Sequence, residues 1–169
     1  AHQADSQDIC FIPDGDYVRF LHDYGGVTPR PGDFVDETGR VLGRHRGLEC
    51  YTAGQRKGLG VSADRPLYVI SKNAENNTVL LGDNEELFSA ALLASRVNWI
   101  AGETPAEKVY CTAKTRYSQK ECGAVVTPLE GGCAHVELLT PQRAVTAGQA
   151  VVFYDGEEVL GGGTIEKAL

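Results

Sequence analysis

The amino-acid sequence predicts a mainly β protein, in which a small mixed β/α central domain is followed by a C-terminal β-barrel. Three observations favour this fold class. Glycine (20) and proline (7) together make up 27 of 169 residues, about 16% against about 12% in an average protein. Seven tyrosines and many valines favour strands. In the second half, short apolar runs recur every ten or so residues with turn residues between them, as in small barrels and sandwiches.

The first half contains one helix and two hairpins. Pro13–Asp16 forms a turn that supplies the helix N-cap, and Gly25-Gly26 ends the helix. Its apolar face has helical spacing. The face consists of Tyr17, Phe20, Leu21 and Tyr24. Two hairpins follow. Their strands are Phe34-Val35 with Val41-Leu42, around Glu37–Gly39, and Leu67–Ser71 with Thr78–Leu81, around Asn73–Asn77.

The second half contains the barrel strands. Residues 85–95 have helical propensity, but we expect 88–100 to be extended because tertiary pairing overrides local preference. Gly161–Gly163 indicates a bulge or a barrel corner. The further predicted strands are Lys108–Arg116, Gly123–Thr127, Ala134–Leu139, Ala150–Tyr154 and Glu158–Leu160. We place the central domain at residues 17–84 and the barrel at 85–169, after a short segment, 1–16.

Composition and charge exclude several classes of protein. Hydrophobic residues make up 42% of the chain, enough for a core, and no apolar run approaches the ~20 residues that span a bilayer. Membrane, collagen-like and disordered classes are excluded. The net charge of −7 is unusual for an RNA-binding protein. The chain has no methionine and opens with Ala1-His2-Gln3, so we expect it to be a piece of a longer protein.

The cysteine pattern argues against a structural metal. Five cysteines, an odd number, occur without Cys-x-x-Cys or Cys/His zinc spacing. We see no secretion signal and expect reduced thiols in a cytoplasmic protein. Cys50, Cys122 and Cys133 are interpreted as small hydrophobic residues. Cys10 differs, because its segment is too short to build its own core. Its thiol is therefore expected at a surface or a domain junction, and the neighbouring Asp8 would raise its pKa.

Two segments have the composition of a nucleic-acid contact. In the first, Gln55, Arg56 and Lys57 lie among three glycines, a pattern that suits phosphate. Composition alone favours a solvated hairpin loop there. In the second, residues 114–119, strand alternation puts Lys114 and Arg116 on one face. Arginine, tyrosine and glutamine offer phosphate contact, base stacking and an amide for base edges. A polar strand end is an equally good interpretation. The chain contains no phosphate-binding P-loop.

Five sequence blocks occur together in the order of a known family. They are DSQDICFI (5–12), YTAGQRKGLG (51–60), TAKTRY (112–117), PQRAVTAGQ (141–149) and VFYDGEEVLGGG (152–163). The chain resembles the C-terminal half of the bacterial tRNA-specific 2-thiouridylases, which thiolate the wobble uridine of certain tRNAs. This resemblance implies that residues 1–16 are the end of an α/β ATP-binding domain. The ATP loop of that domain, Ser-Gly-Gly-Val-Asp-Ser, and the first catalytic cysteine are absent from this chain.

The resemblance also implies roles for particular residues. Cys10 matches the cysteine that carries a persulfide, whose terminal sulfur replaces the activated oxygen at C2 of the uridine. Arg116 and Tyr117 match a tRNA-contacting pair, and Gln149 matches a glutamine near the modified nucleotide. The further RNA-binding candidates are Lys114, Gln55, Arg56 and Lys57.

The resemblance fixes the expected cofactors and partners. We expect no cofactor in this chain, and ATP with magnesium in the full-length enzyme. The expected partners are tRNA, a sulfur-relay donor protein and the missing N-terminal domain. We expect no association with a membrane. The chain alone is expected to be inactive.

Two other classes of function stay open at this point. One is a free-standing β-barrel RNA-binding module in which Cys10 has no catalytic role. The other is a redox-sensing domain that pairs Cys10 with a second cysteine, which requires Cα atoms within about 7 Å.

Overall fold

The computed structural model describes residue 12 and residues 16–117 and 119–169. Its first unit is one helix with a four-stranded sheet. The elements are α1 (Tyr17–Gly25), β1 (Gly32–Val35), β2 (Val41–His45), β3 (Tyr68–Asn73) and β4 (Thr78–Gly82). The strand order is β2-β1-β4-β3. The two hairpins pair antiparallel, and β1 pairs parallel with β4. The predicted helix and both predicted hairpins are confirmed.

Local signals define the ends of α1. The Asp16 carboxylate accepts the backbone N–H of Arg19 at 3.0 Å, which satisfies one of the free donors of the first turn. At the other end Gly26 has a φ of 63°, the left-handed conformation that ends many helices. Within the helix the rings of Phe20 and Tyr24 stack with centroids 4.8 Å apart. The helix therefore begins and ends where its capping residues predict.

Aromatic residues and a buried histidine form the core of the central domain. Phe34 and Tyr51 meet edge to face, with ring centroids 5.1 Å apart. His45 is fully buried between them and the second hairpin. Its Nδ1 accepts the N–H of Gly47, so Nε2 carries the proton and donates to the carbonyl of Asn77 at 3.0 Å. The imidazole thus links β2 to the turn before β4.

The second unit is a closed six-stranded barrel, as the sequence predicts. Its neighbouring strands all pair antiparallel. The strands are β5 (Phe88–Trp99), β6 (Val109–Lys114), β7 (Cys122–Leu129), β8 (Cys133–Arg143), β9 (Ala150–Asp155) and β10 (Glu158–Ala168), in the order β10-β5-β8-β7-β6-β9. β5 is extended despite its helical composition because β8 and β10 pair with its two edges.

Three strand ends differ from the sequence prediction. β6 ends at Lys114, whereas β8 continues to Arg143. β10 continues to Ala168, and its glycines lie at register shifts inside the strand instead of ending it. A side-chain carbon on Gly161 or Gly162 would lie 2.4 or 2.6 Å from a backbone oxygen of a neighbouring strand. Glycine is therefore required there by close backbone approach.

The barrel interior is apolar. Trp99 and Phe153 stack with ring centroids 5.6 Å apart. Cys111 and Cys122 pack against this core, and burial raises the pKa of the Cys111 thiol to about 11. These two thiols therefore behave as small hydrophobic side chains. The other large buried side chains are Leu92, Val126, Val136, Val151 and Ile165.

Within the described part of the chain, no helix is long and apolar enough to cross a membrane. The same residues contain no group of three or more His, Cys, Asp or Glu placed to hold a metal ion.

We predict that Phe153→Ala destabilises the barrel by about 3–5 kcal/mol, because it removes a fully buried ring and leaves a cavity. Urea unfolding measures the change. Tyr110→Ala is the matched control, since Tyr110 is 79% exposed on the neighbouring strand β6 and should change stability by no more than about 0.5 kcal/mol. Equal effects of the two substitutions would contradict the assigned core.

Candidate nucleic-acid interface

Three segments of the chain meet at one end of the barrel. β6 and β8 end there and β9 begins there, so the loops after β6 and after β8 lie side by side. The segment 83–87, which joins the central domain to the barrel, reaches the same end, because β5 begins opposite Arg143. The junction between the two units is therefore also the end of the barrel that carries the predicted RNA-binding residues.

The backbone of Ala144 connects these segments. Its N–H donates to the carbonyl of Leu87 at 2.7 Å. Its own carbonyl accepts Nη2 of Arg116 at 2.7 Å and the hydroxyl of Thr146 at 2.9 Å. Ala144 has a φ of 55°, which costs a non-glycine residue about 1–2 kcal/mol. The surrounding hydrogen bonds hold this unusual conformation.

Arg116 is half-buried and incompletely bonded. Its Nη2 donates to the carbonyl of Ala144, but its Nε is buried without a hydrogen-bond partner. Burial lowers the pKa of the guanidinium, and the nearby charge of Arg143 lowers it further. Arginine remains protonated nonetheless. Arg116 therefore presents a positive charge that its protein surroundings do not fully satisfy.

The residues next to Arg116 have different environments. Tyr117 is 94% exposed, so its ring is open to stacking. Ala113 and Thr115 are buried and Lys114 is half-buried, which confirms the predicted alternation. The Thr115 hydroxyl donates to Oε1 of Gln119 at 2.7 Å across the turn. This bond fixes the loop that presents Arg116 and Tyr117.

Lys114 already has partners in the protein. It forms an ion pair with Glu121 at 3.3 Å and lies 5.4 Å from the ring centre of Tyr154. A hydrogen bond from the Thr112 hydroxyl, together with Lys114, lowers the pKa of the Glu121 carboxyl. The charge of Lys114 is thus balanced locally, unlike that of Arg116.

Gln149 lies in the loop after β8. Its backbone carbonyl accepts the N–H of Ile165 at 2.7 Å, which fixes the loop to β10. Its side-chain Oε1 is buried without a partner. Among the residues that the structure describes, this oxygen and the Nε of Arg116 are the two buried side-chain polar atoms that lack a hydrogen bond. One is an acceptor and the other a donor.

The loop that contains Gln55, Arg56 and Lys57 packs onto the same junction. Gly54 donates to the carbonyl of Val69 at 2.8 Å, and Val69 donates back to Gln55. The Gln55 side chain is used inside the turn, where it accepts the N–H of Thr52 and donates to the carbonyl of Lys57. Arg56 and Lys57 are exposed. The structure therefore brings Gly54 of this loop to the junction beside Arg143 and leaves the two cations exposed on the same loop.

Sequence reasoning missed Arg143. Its Nε donates to Oδ1 of Asn84 at 3.2 Å, and its guanidinium lies 5.5 Å from the ring centre of Tyr68. A side-chain carbon on Gly54 would lie 3.2 Å from its Nη1. Arg143 stands in one of the five sequence blocks, but only the length of β8 reveals that it reaches the junction.

Cys10 lies outside the described residues, so the expected placement of its thiol stays a prediction. Cys50 lies in the central domain, where burial raises the pKa of its thiol.

Comparison with known proteins agrees with the architecture. Residues 18–83 match the family model described as "tRNA methyl transferase PRC-barrel domain". Residues 89–165 match the one described as "Aminomethyltransferase beta-barrel domain". The fold and these matches define a two-domain β protein of the class found in tRNA-modifying enzymes.

Curated relatives identify the family more closely. The tRNA-specific 2-thiouridylase of Acetivibrio thermocellus is 51% identical over 166 residues, which is 98% of this chain and 46% of that protein. The corresponding enzyme of Carboxydothermus hydrogenoformans is 47% identical over 169 residues, 100% of this chain and 46% of its own length. The chain belongs to the tRNA-specific 2-thiouridylase family and corresponds to its C-terminal portion. It spans about half the length of these relatives.

We predict that Gly54→Ala destabilises the junction by about 1 kcal/mol more than Gly60→Ala. Both glycines have positive φ, 87° and 68°, so both substitutions carry a similar backbone cost. Only the methyl group at position 54 would press on Arg143, whereas position 60 has open space within 4 Å. Urea unfolding of the two variants measures the difference. Equal destabilisation would contradict the contact between this loop and Arg143.

Proposed function

We propose that this chain is the sulfur-carrying and RNA-contacting part of an enzyme that thiolates C2 of the wobble uridine in tRNA. The observation that best supports the RNA-contacting role is the pairing of exposed Tyr117 with Arg116. Within the described residues, Arg116 has no carboxylate at ion-pairing distance. The family membership supports the class of reaction.

The sulfur step requires a thiolate that can carry an additional sulfur atom as a persulfide and then release it, and cysteine provides such a thiolate. We assign this role to Cys10, loaded as a persulfide by a sulfur-relay donor protein. The terminal sulfur bonds to C2 of the uridine, the activated oxygen leaves, and a second cysteine thiolate breaks the persulfide S–S bond. Cys10 and the second cysteine end as a disulfide. We assign that second cysteine to the ATP-binding domain outside this chain, as the resemblance implies.

ATP is the activating co-substrate that the family implies. This chain contains neither the Ser-Gly-Gly-Val-Asp-Ser loop that the resemblance associates with ATP nor a P-loop with its Gly-Lys-[Ser/Thr] ending. We therefore assign ATP and magnesium binding to a domain outside this chain and expect the chain alone to be inactive. The proposed activity places the protein in the cytoplasm.

The RNA contacts divide by chemistry. Arg116 contacts a phosphate and Tyr117 stacks on an unpaired base, as arginine and aromatic residues do on single-stranded RNA. We assign Gln149 to the surroundings of the modified nucleotide, as the resemblance implies, and its buried Oε1 has no hydrogen-bond partner among the described residues of the protein. Arg56 and Lys57 add charge from the central domain. Lys114 and Gln55 support the surface through their own protein contacts rather than by free polar groups.

The acidic net charge is compatible with this assignment because the basic surface is local. Arg116 and Arg143 lie at the junction, and no carboxylate of the described residues is within ion-pairing distance of either. Arg56 and Lys57 lie in the loop whose Gly54 faces Arg143. Phosphate attraction is screened beyond about 10 Å at 0.1 M salt. Local cations therefore matter more for contact than the total charge.

In the intact protein that carries this chain, Cys10→Ser should abolish thiolation, because a hydroxyl cannot carry persulfide sulfur. Binding of tRNA should remain within about twofold of the wild-type value. Cys133→Ser, a change of a half-exposed cysteine on the barrel, is the control and should retain activity. Thiolated-uridine content of the tRNA, measured by mass spectrometry, is the readout. Full activity of Cys10→Ser would leave an RNA-binding module as the better function.

Arg116→Ala should weaken tRNA binding and reduce the slope of log K against log salt by about 0.7–0.9, the loss of one phosphate contact. The matched control is Arg44→Ala, because Arg44 is exposed on β2 and lies 3.9 Å from the carboxylate of Asp33. Filter binding at several salt concentrations measures both variants. An unchanged slope for Arg116→Ala would contradict the phosphate contact.

A further inference from the structure

We propose that Arg116 and Arg143 together form a phosphate-binding site at the junction of the two domains, and that its ligand is a phosphodiester of the RNA backbone. The proposal rests on the proposed function for the identity of the RNA. It adds Arg143 as a second phosphate-binding residue. Arg143 lies at the end of β8 and contacts residues of the central domain.

The first argument is the uncompensated charge. Arg116 donates to the carbonyl of Ala144, the residue that directly follows Arg143, so both side chains lie at the same corner of the barrel. The charge of Arg143 accordingly helps to lower the pKa of Arg116. Like charges at close range repel, and the burial of one of them weakens the screening by water. No carboxylate of the described residues lies within ion-pairing distance of either arginine. An anion between or beside them would remove this repulsion.

Other cations of the same protein show the contrast. Arg65 lies 2.8 Å from the carboxylate of Asp83, and Lys114 lies 3.3 Å from that of Glu121. The chain is rich in carboxylates, and these two cations near the junction each form an ion pair with one. Three of the lysines and arginines that the structure describes are half-buried, namely Lys114, Arg116 and Arg143. Of these three, only Lys114 has a carboxylate of the described residues within ion-pairing distance.

The second argument is preorganisation. Arg116 uses Nη2 to reach the carbonyl of Ala144, and Arg143 uses Nε to reach Asn84. Each guanidinium thus has a fixed position and further N–H donors in reserve. Arginine binds phosphate through such a planar fork, often with two parallel hydrogen bonds. The Nε of Arg116 is buried and has no hydrogen-bond partner among the described residues, so these do not satisfy all the donors of this guanidinium.

The site has a consequence for the two domains. Arg143 belongs to the barrel, but its guanidinium packs on Tyr68 and bonds to Asn84, which precede the barrel. A phosphate held by both arginines therefore draws on contacts from both units. We infer that RNA binding at this site stabilises the junction.

The experiment measures tRNA binding by the intact protein at several salt concentrations. Arg143→Gln should bind about fivefold more weakly at 0.15 M salt, with the slope of log K against log salt reduced by about 0.7–0.9. Arg116→Gln should give a similar loss. Because both residues contact one phosphate, the double variant should lose about one unit of slope, not two.

Arg96→Gln is the matched control, since Arg96 is exposed on the barrel and donates to the Thr164 hydroxyl. It should bind within about twofold of wild type. If wild type binds tRNA and Arg143→Gln behaves like Arg96→Gln, the two-arginine site is wrong and the proposed function stands. If wild type does not bind tRNA, the proposed function and the site both fail.

A measurement on the wild-type protein covers the case in which Arg143→Gln does not fold. The Nε–Hε NMR signals of Arg116 and Arg143 should shift together along one binding curve when tRNA is added, while that of Arg96 stays in place. Inorganic phosphate at millimolar concentration, the second probe, should shift the same two signals more weakly. An Arg143 signal that tRNA leaves unmoved would show a purely structural role and overturn the proposal.

Discussion

The junction of the two domains depends on the backbone of one residue, Ala144. Its N–H is bonded to Leu87 at the end of the interdomain segment, and its carbonyl is bonded to the side chain of Arg116. Ala144 makes both bonds while in a left-handed conformation, which is unfavourable for alanine. One backbone unit thus fixes the entry of the chain into the barrel and the position of the arginine that we assign to RNA.

The barrel makes this arrangement rigid. Closure removes free strand edges, so the loops after β6 and β8 project from strands that are paired on both sides. The β10 glycines, where backbones approach closely, help the sheet to curve. Loops carried by such a scaffold hold polar groups in position while leaving them accessible. Two adjacent residues illustrate this: Tyr117 is exposed, and Arg116 is fixed by its hydrogen bond to Ala144.

The sequence predicts those parts of the fold that depend on local chemistry. The helix caps and both hairpins follow from short turn signals, and the barrel follows from the spacing of apolar runs. The length of β8 and the junction contacts of Arg143 could not be predicted, because they depend on pairing between residues distant in the chain. The left-handed conformation of Ala144 has no sequence signal either, since glycine or asparagine would be expected there. For the site, composition made Arg116 and Tyr117 candidates, and the family resemblance favoured them over a polar strand end. The ion pair between Lys114 and Glu121 appears only in three dimensions.

The most direct test of the account is ultraviolet cross-linking of tRNA to the intact protein, followed by mass spectrometry of the cross-linked peptides. If RNA lies on the junction end of the barrel, cross-links will map to the peptide containing Tyr117 and to the loop containing Arg56 and Lys57. The opposite end of the barrel carries exposed Ile100, and Tyr110 is exposed near it. Cross-links concentrated around those residues, with none at the junction, would contradict the account.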